Sequence, residues 1–211
     1  MKQEERRQRT LRQLIDATKA LIQEKGCHSI TMQDIMGRSS LSKGAIFHYV
    51  NSKDELFVML LQEGLEETNR RFMNEIEEGR RNFDDPMQKI KDSIVEYENP
   101  QNVTNKVLVY LFGKEEDPAV AVALKQYYDR SVFLSQLWIE TGQQHGVIPK
   151  TVEADKTAEL FTLMTLGFRI RARIPNVQAI VKAQDLTALM TDILNPGKNG
   201  KRKDERAWEF G

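Results

Sequence analysis

Residues 31–56 read TMQDIMGRSSLSKGAIFHYVNSKDEL, and the punctuation inside this run decides the fold. Thr31 is placed to cap a short helix, with Asp34 three residues on to complete the cap. Met32, Ile35 and Met36 turn inward from it. Arg38-Ser39-Ser40-Leu41 breaks that helix after about two turns. Ser42 then caps a second helix, Lys43-Gly44-Ala45-Ile46-Phe47-His48-Tyr49, which Asn51-Ser52 stops while capping the next. Two short helices joined by a tight turn form a helix-turn-helix, whose second helix lies in the DNA major groove with its first residues toward bases and phosphates.

The residue types suit that placement. A helix start with unpaired N–H groups favours a phosphate, and Lys43 adds a full positive charge there. Gly44 and Ala45 let backbone approach backbone closely. His48, Tyr49 and Lys53 supply further phosphate donors.

Thr31, Asp34-Ile35, Ser42-Lys43-Gly44, Phe47-His48-Tyr49 and Ser52-Lys53 followed by Asp54-Glu55-Leu56, with Ala17 and Glu24-Lys25-Gly26 upstream, form one pattern. In these residues the segment from about 10 to 60 resembles the DNA-binding domain of the TetR family of bacterial transcriptional regulators. The resemblance implies Thr31 and Lys53 on phosphates, Lys43, Gly44 and Ala45 at the mouth of the groove, and His48 and Tyr49 at contacting positions. It also implies a homodimer with one head per half-site, a ligand pocket within the fourth to seventh helices and dimerisation through the last two. Three residues depart from the pattern. Phe47 counts with Ser42 among the candidate DNA-contact residues, but it stands where the family commonly has Tyr, and the missing hydroxyl shifts it toward packing; Ser39-Ser40 replaces a frequent Ala-Gly in the turn; Met36 replaces a small residue. Ser40 can adopt the left-handed conformation that glycine would ease, at modest cost.

Outward from this segment, the chain has 211 residues, 31 Lys+Arg and 31 Asp+Glu, and 40% hydrophobic residues. That is ample for a packed core and excludes a disulfide miniprotein or a disordered chain. The balanced charge conceals a division. Residues 1–53 carry a net +5, residues 54–195 a net −7 and residues 196–211 a net +2. A basic end on an acidic body suits an N-terminal segment that meets a polyanion. A single Cys27 and a polar start after Met1 predict a reducing, cytoplasmic location. The longest apolar runs, such as 119–124 and 160–168, fall short of the roughly 18 residues a membrane span needs, so no membrane role is expected.

Helical periodicity dominates and no segment shows sustained strand alternation, which predicts an all-α chain of about nine helices. The expected helices cover about 6–25, 31–38, 42–49, 52–79, 86–98, 103–113, 118–145, 152–173 and 177–194. Prolines, absent before Pro86, punctuate the later ones; Asp85-Pro86 and Asp117-Pro118 both read as a cap followed by Pro at the first helical position. The expected division is a DNA-binding domain over 1–53, a ligand-binding and dimerisation domain over 54–195, and a polar, glycine-rich, mobile tail over 196–211 containing Trp208 and Phe210.

Aromatic and methionine side chains are frequent in the acidic body. Most are ordinary core, but together they suit a pocket for a lipophilic molecule. Tyr97, Phe112, Tyr128, Trp138, Phe168 and Arg169 are the candidate lining. Arg169 and Arg173, one turn apart, either grip an anionic ligand group or favour the end of their helix. Thr162, Leu163, Leu166, Ile170, Leu186, Leu189, Met190 and Ile193 give the last two helices an apolar stripe that serves either a dimer interface or an intramolecular core.

No enzyme is expected. Ser40-Leu41-Ser42-Lys43 matches S-x-x-K without the companion motifs of the acylating enzymes. No His, Cys, Asp or Glu group has metal-ligand spacing, so neither metal nor cofactor is called for. The reading is a DNA-binding regulator, a repressor released from a palindromic double-stranded operator by a small lipophilic effector. The rival is a helical lipid or small-molecule carrier, which has no need of Ser42-Lys43-Gly44 at a helix start.

Overall fold

The computed structural model describes residues 3–78 and 82–195. Among them are nine helices and no strand, as the periodicity predicts: α1 (Gln3–Ser29), α2 (Met32–Ser39), α3 (Lys43–Phe47), α4 (Lys53–Glu78), α5 (Asp84–Glu98), α6 (Val103–Phe112), α7 (Pro118–Gln144), α8 (Ala154–Arg171) and α9 (Ala183–Leu194). The expected mobile tail, 196–211, lies outside the described residues.

Local chemistry sets most boundaries. Gly26 breaks α1 with φ 76° and ψ 163°, a conformation that costs glycine little. Asp117 accepts hydrogen bonds from the N–H groups of Ala119 and Val120, with Pro118 in the first helical position as expected. Several boundaries differ from the sequence expectation, three of them with a clear local cause. α5 begins at Asp84, after a helical Phe83 that makes no side-chain cap bond, because Asn82 rather than Asp85 supplies the capping side chain: its Oδ1 accepts from Asp85 N at 2.9 Å while its Nδ2 donates to Asp85 Oδ2 at 2.7 Å. α8 ends at Arg171, so Arg173 sits in the following turn and helical periodicity does not set its pairing with Arg169. α9 starts six residues late, at Ala183. Asn176 is left-handed at φ 62°, three of residues 177–181 are β-branched, and Asp185 takes the Lys182 N–H at 2.8 Å.

The described chain divides into two compact units. The first combines Met1–Leu65 with Pro100–Tyr127, so α6 belongs with α1–α3. Its core holds Leu14, Ile22, Ile35, Ile46, Phe57, Leu60, Leu108 and Leu111, each essentially inaccessible. The second combines Glu66–Asn99 with Tyr128–Gly211. There α5 packs on α8 and α9 around Phe72, Ile94, Ile139, Phe161, Phe168, Leu186 and Met190. In this unit Gly142 is buried where the chain folds back: an added Cβ would lie 2.5 Å from Ile148 Cδ1, and both Val147 N and Ile148 N donate to the Gly142 carbonyl.

Candidate nucleic-acid interface

The helix-turn-helix is pinned by its caps. Thr31 Oγ1 accepts from Asp34 N at 3.2 Å and donates to Asp34 Oδ2 at 2.7 Å, while Thr31 N donates to the same oxygen at 2.9 Å. Lys25 Nζ reaches Asp34 Oδ1 at 2.7 Å. The Lys25 ammonium first, then the Thr31 donors, hold the Asp34 carboxyl far below the ordinary carboxylate range. Thr31, named from sequence as a phosphate contact, thus has its hydroxyl proton committed to Asp34. Arg38 pairs with Glu24 and draws that carboxyl down as well. The turn closes on Ser40, left-handed at φ 55° and ψ 23°, as the serine pair requires. Gln13 Nε2 donates to the Ser39 carbonyl at 2.6 Å and ties α1 to the turn.

Ser42 caps α3, its Oγ accepting from Ala45 N at 3.2 Å. Ile46 and Val50 are buried and anchor the inner side. Lys43, Gly44, Phe47 and His48 are exposed; Ala45 and Tyr49 are half-buried. The sequence therefore places Ser42, Lys43, Gly44, Ala45, His48 and Tyr49 on one short element whose opposite side is core. Nothing lies within 4 Å of where a Gly44 Cβ would stand. His48 and Tyr49 meet edge-on at 5.0 Å. Phe47, expected to pack, is 39% exposed, with the Lys43 ammonium 5.7 Å from its ring centre. Helical geometry explains the difference: Ile46 already takes the inward position on this short helix, and its neighbour turns outward.

Lys53 has a different setting from the other candidates. Its ammonium donates to the carbonyls of Cys27, His28 and Ile30 at 3.2, 3.3 and 3.0 Å, closing the C-terminal end of α1. It also lies 5.4 Å from the Tyr110 ring centre. Tyr110, 5% exposed, donates its hydroxyl to Asp54 Oδ1 at 2.9 Å and meets His28 and Phe57 edge-on. Burial first, and then the Asp54 carboxylate, push the phenol well above its usual range. This α1–α4–α6 knot was not legible in the sequence, because nothing in the pattern pairs residue 54 with residue 110.

The second unit contains a small crevice of about 60 Å³, lined by Phe72, Met87, Ile139, Trp138, Phe161 and Met190 among others, with almost no polar surface. Trp138 stacks on Phe72 at 4.6 Å and donates Nε1 to Asn69 Oδ1 at 3.0 Å. Of the six candidate ligand residues only Trp138 lines this crevice. Phe168 is buried in the surrounding core. Arg169, 2% exposed, lies 4.6 Å from the Tyr97 ring centre, so these two meet each other. Tyr128 donates its hydroxyl to Glu159 at 3.0 Å. Phe112 belongs to the first unit and is exposed. Sequence reasoning did not assign Met87, Ile139 and Met190 to a pocket, because apolar spacing does not distinguish crevice from core.

Residues 14–60 match the family described as bacterial regulatory proteins, tetR family. Over 59 residues the chain is 30% identical to the uncharacterized HTH-type transcriptional regulator YfiR of Bacillus subtilis (strain 168), an alignment spanning 28% of this chain and 29% of that protein. Among solved structures, Salmonella enterica GusR is 20% identical, with 88% of this chain and 95% of that one covered at a TM-score of 0.61. The reduced form of E. coli NemR is 16% identical, with 88% and 97% covered at 0.66. These two likenesses carry the fold, and the family match carries the head. Residues 14–60 thus carry a helix-turn-helix head matched to the tetR family of bacterial regulatory proteins, on a helical frame shared along most of the chain with these solved structures.

Proposed function

We propose that this chain is a repressor that binds a palindromic operator as a homodimer in the cytoplasm and leaves it when a lipophilic molecule occupies the crevice of its second unit. The observation that carries the reading is α3: a capped helix start with Lys43, Gly44 and His48 exposed above a buried Ile46. Such a helix offers charge, free N–H groups and a low profile to a phosphate-lined groove. Ser42, Ala45 and Tyr49 complete the contacting surface, with Phe47 available at its edge. Thr31 and Lys53 serve chiefly to hold the head in shape, through the bonds described above.

The dimer is supported by α8. Leu160, Leu163 and Ile170 are exposed along one stripe of that helix, as is Leu189 on α9, while Thr162, Leu186 and Met190 face the unit's own core. Two heads about 34 to 36 Å apart would engage successive major grooves, and joining them multiplies the affinity of each. Ligand release works by population shift: an effector preferring a different head spacing draws molecules away from the DNA-competent state, by no more than its differential affinity. The crevice, with its apolar walls and the Trp138 indole, supports a lipophilic effector.

Lys43→Ala tests the DNA side. Operator affinity is expected to fall, and the slope of log affinity against log salt to become shallower by about one. An unchanged slope removes Lys43 from the DNA surface and takes the main support from the reading.

A further inference from the structure

The cations of the head sort into two sets. Lys19 is paired with Glu63 at 2.9 Å, Lys25 with Asp34 and Arg38 with Glu24, and Lys53 is held by three carbonyls. Arg7 lies 3.9 Å from Glu4. Among the described residues no ion pair holds Arg6, Arg9, Arg12 or Lys43, and all four are exposed, the three arginines on α1 and Lys43 at the start of α3. Among the described residues the uncommitted cations of the head therefore occur in two places, the start of α3 and the first half of α1.

Gln13 connects those places. Its side chain donates to the Ser39 carbonyl, the last residue before the turn that leads into the Ser42 cap. Arg9 and Arg6 stand four and seven residues before Gln13, so helical spacing puts them on the stripe of α1 that meets the turn. An exposed guanidinium with no carboxylate partner presents a planar fork matched to phosphate oxygens. We propose that Arg6 and Arg9, flanked by Arg12, form a second DNA contact that grips backbone phosphates beside the groove occupied by α3. It rests on the regulator reading above and extends the DNA surface beyond the helix-turn-helix. Because the contact is to phosphates, it adds affinity and salt dependence on any duplex and carries no base preference.

The test uses the full chain and a duplex that it selects from a random-sequence library, titrated over a range of salt. The Arg6→Ala/Arg9→Ala variant is expected to bind on the order of tenfold or more weakly at about 0.1 M salt, with a slope shallower by about two. The loss should be the same on an unselected duplex. The Arg6→Lys/Arg9→Lys variant should keep most of the slope, since the charge survives, and the thermal midpoint of both variants should match the parent, since neither arginine packs in the core. A parental slope and affinity in the alanine variant, alongside a shallower slope in Lys43→Ala, overturns the α1 contact and leaves the regulator reading standing. Failure of the unsubstituted protein to select any duplex overturns both.

Discussion

Replacing Gly44 by glutamate is expected to leave the head folded, slightly more stable than before, and to reduce operator affinity by at least about a thousandfold. The folded state has room for the side chain, because nothing lies within 4 Å of the position its Cβ would take. Removing a helical glycine and adding a carboxylate in the first turn each favour α3 by roughly 0.5 to 1 kcal/mol. On DNA the same change sets a negative charge and a bulky chain where the helix start meets phosphates, a like-charge contact costing several kcal/mol. Thermal unfolding and a duplex titration on one preparation separate the two effects. Affinity within tenfold of the parent would mean that the start of α3 does not face DNA.

Trp138→Ala is expected to destabilise the second unit by about 3 kcal/mol. The substitution removes the stack on Phe72 and the bond to Asn69 Oδ1, and it leaves an enlarged crevice rather than a collapsed one. Trp138→Phe keeps an aromatic face and loses mainly the Asn69 bond, so it should cost about 1 kcal/mol. Chemical unfolding of both variants supplies the comparison. The alanine variant should also change the response to lipophilic effectors while the head retains its DNA affinity. A loss below about 1 kcal/mol in Trp138→Ala would show that the ring is not a structural wall of the crevice.

The legible parts of this molecule are those governed by short-range rules. Thr31 with Asp34, Ser42 before Lys43, Asp117 before Pro118 and the glycine at 26 each act within four residues, so caps and breaks emerge from the sequence alone. Even the left-handed Ser40 is anticipated, because a two-helix turn demands one such residue. Where two local rules compete, the sequence is ambiguous. Asn82 and Asp85 are both good caps, and their mutual hydrogen bonds settle the start of α5 in favour of Asn82.

The candidate site is legible only on its outward side. The loss of the tyrosine hydroxyl points Phe47 toward packing, yet the ring is 39% exposed, because buried Ile46 takes the inward position on a five-residue helix. Long-range partners are absent from any local pattern. Lys53 has the composition of a phosphate contact and the geometry of a helix clasp; Tyr110 reads as core and serves as the hydroxyl partner of Asp54. Arg169 offers a similar lesson, since its charge suggests solvent or ligand while its position is 2% exposed against Tyr97.

Whether this chain is a sequence-specific DNA-binding regulator is decided by titrating the purified protein against genomic fragments that include the DNA upstream of its own gene, at two salt concentrations. Tight, competitor-resistant binding to particular fragments is expected, saturating at one dimer or a pair of dimers each and weakening steeply with salt. Weak binding that is indifferent to sequence, with or without a lipophilic effector present, would contradict the regulator reading and favour a helical carrier that retains only the shape of a DNA-binding head.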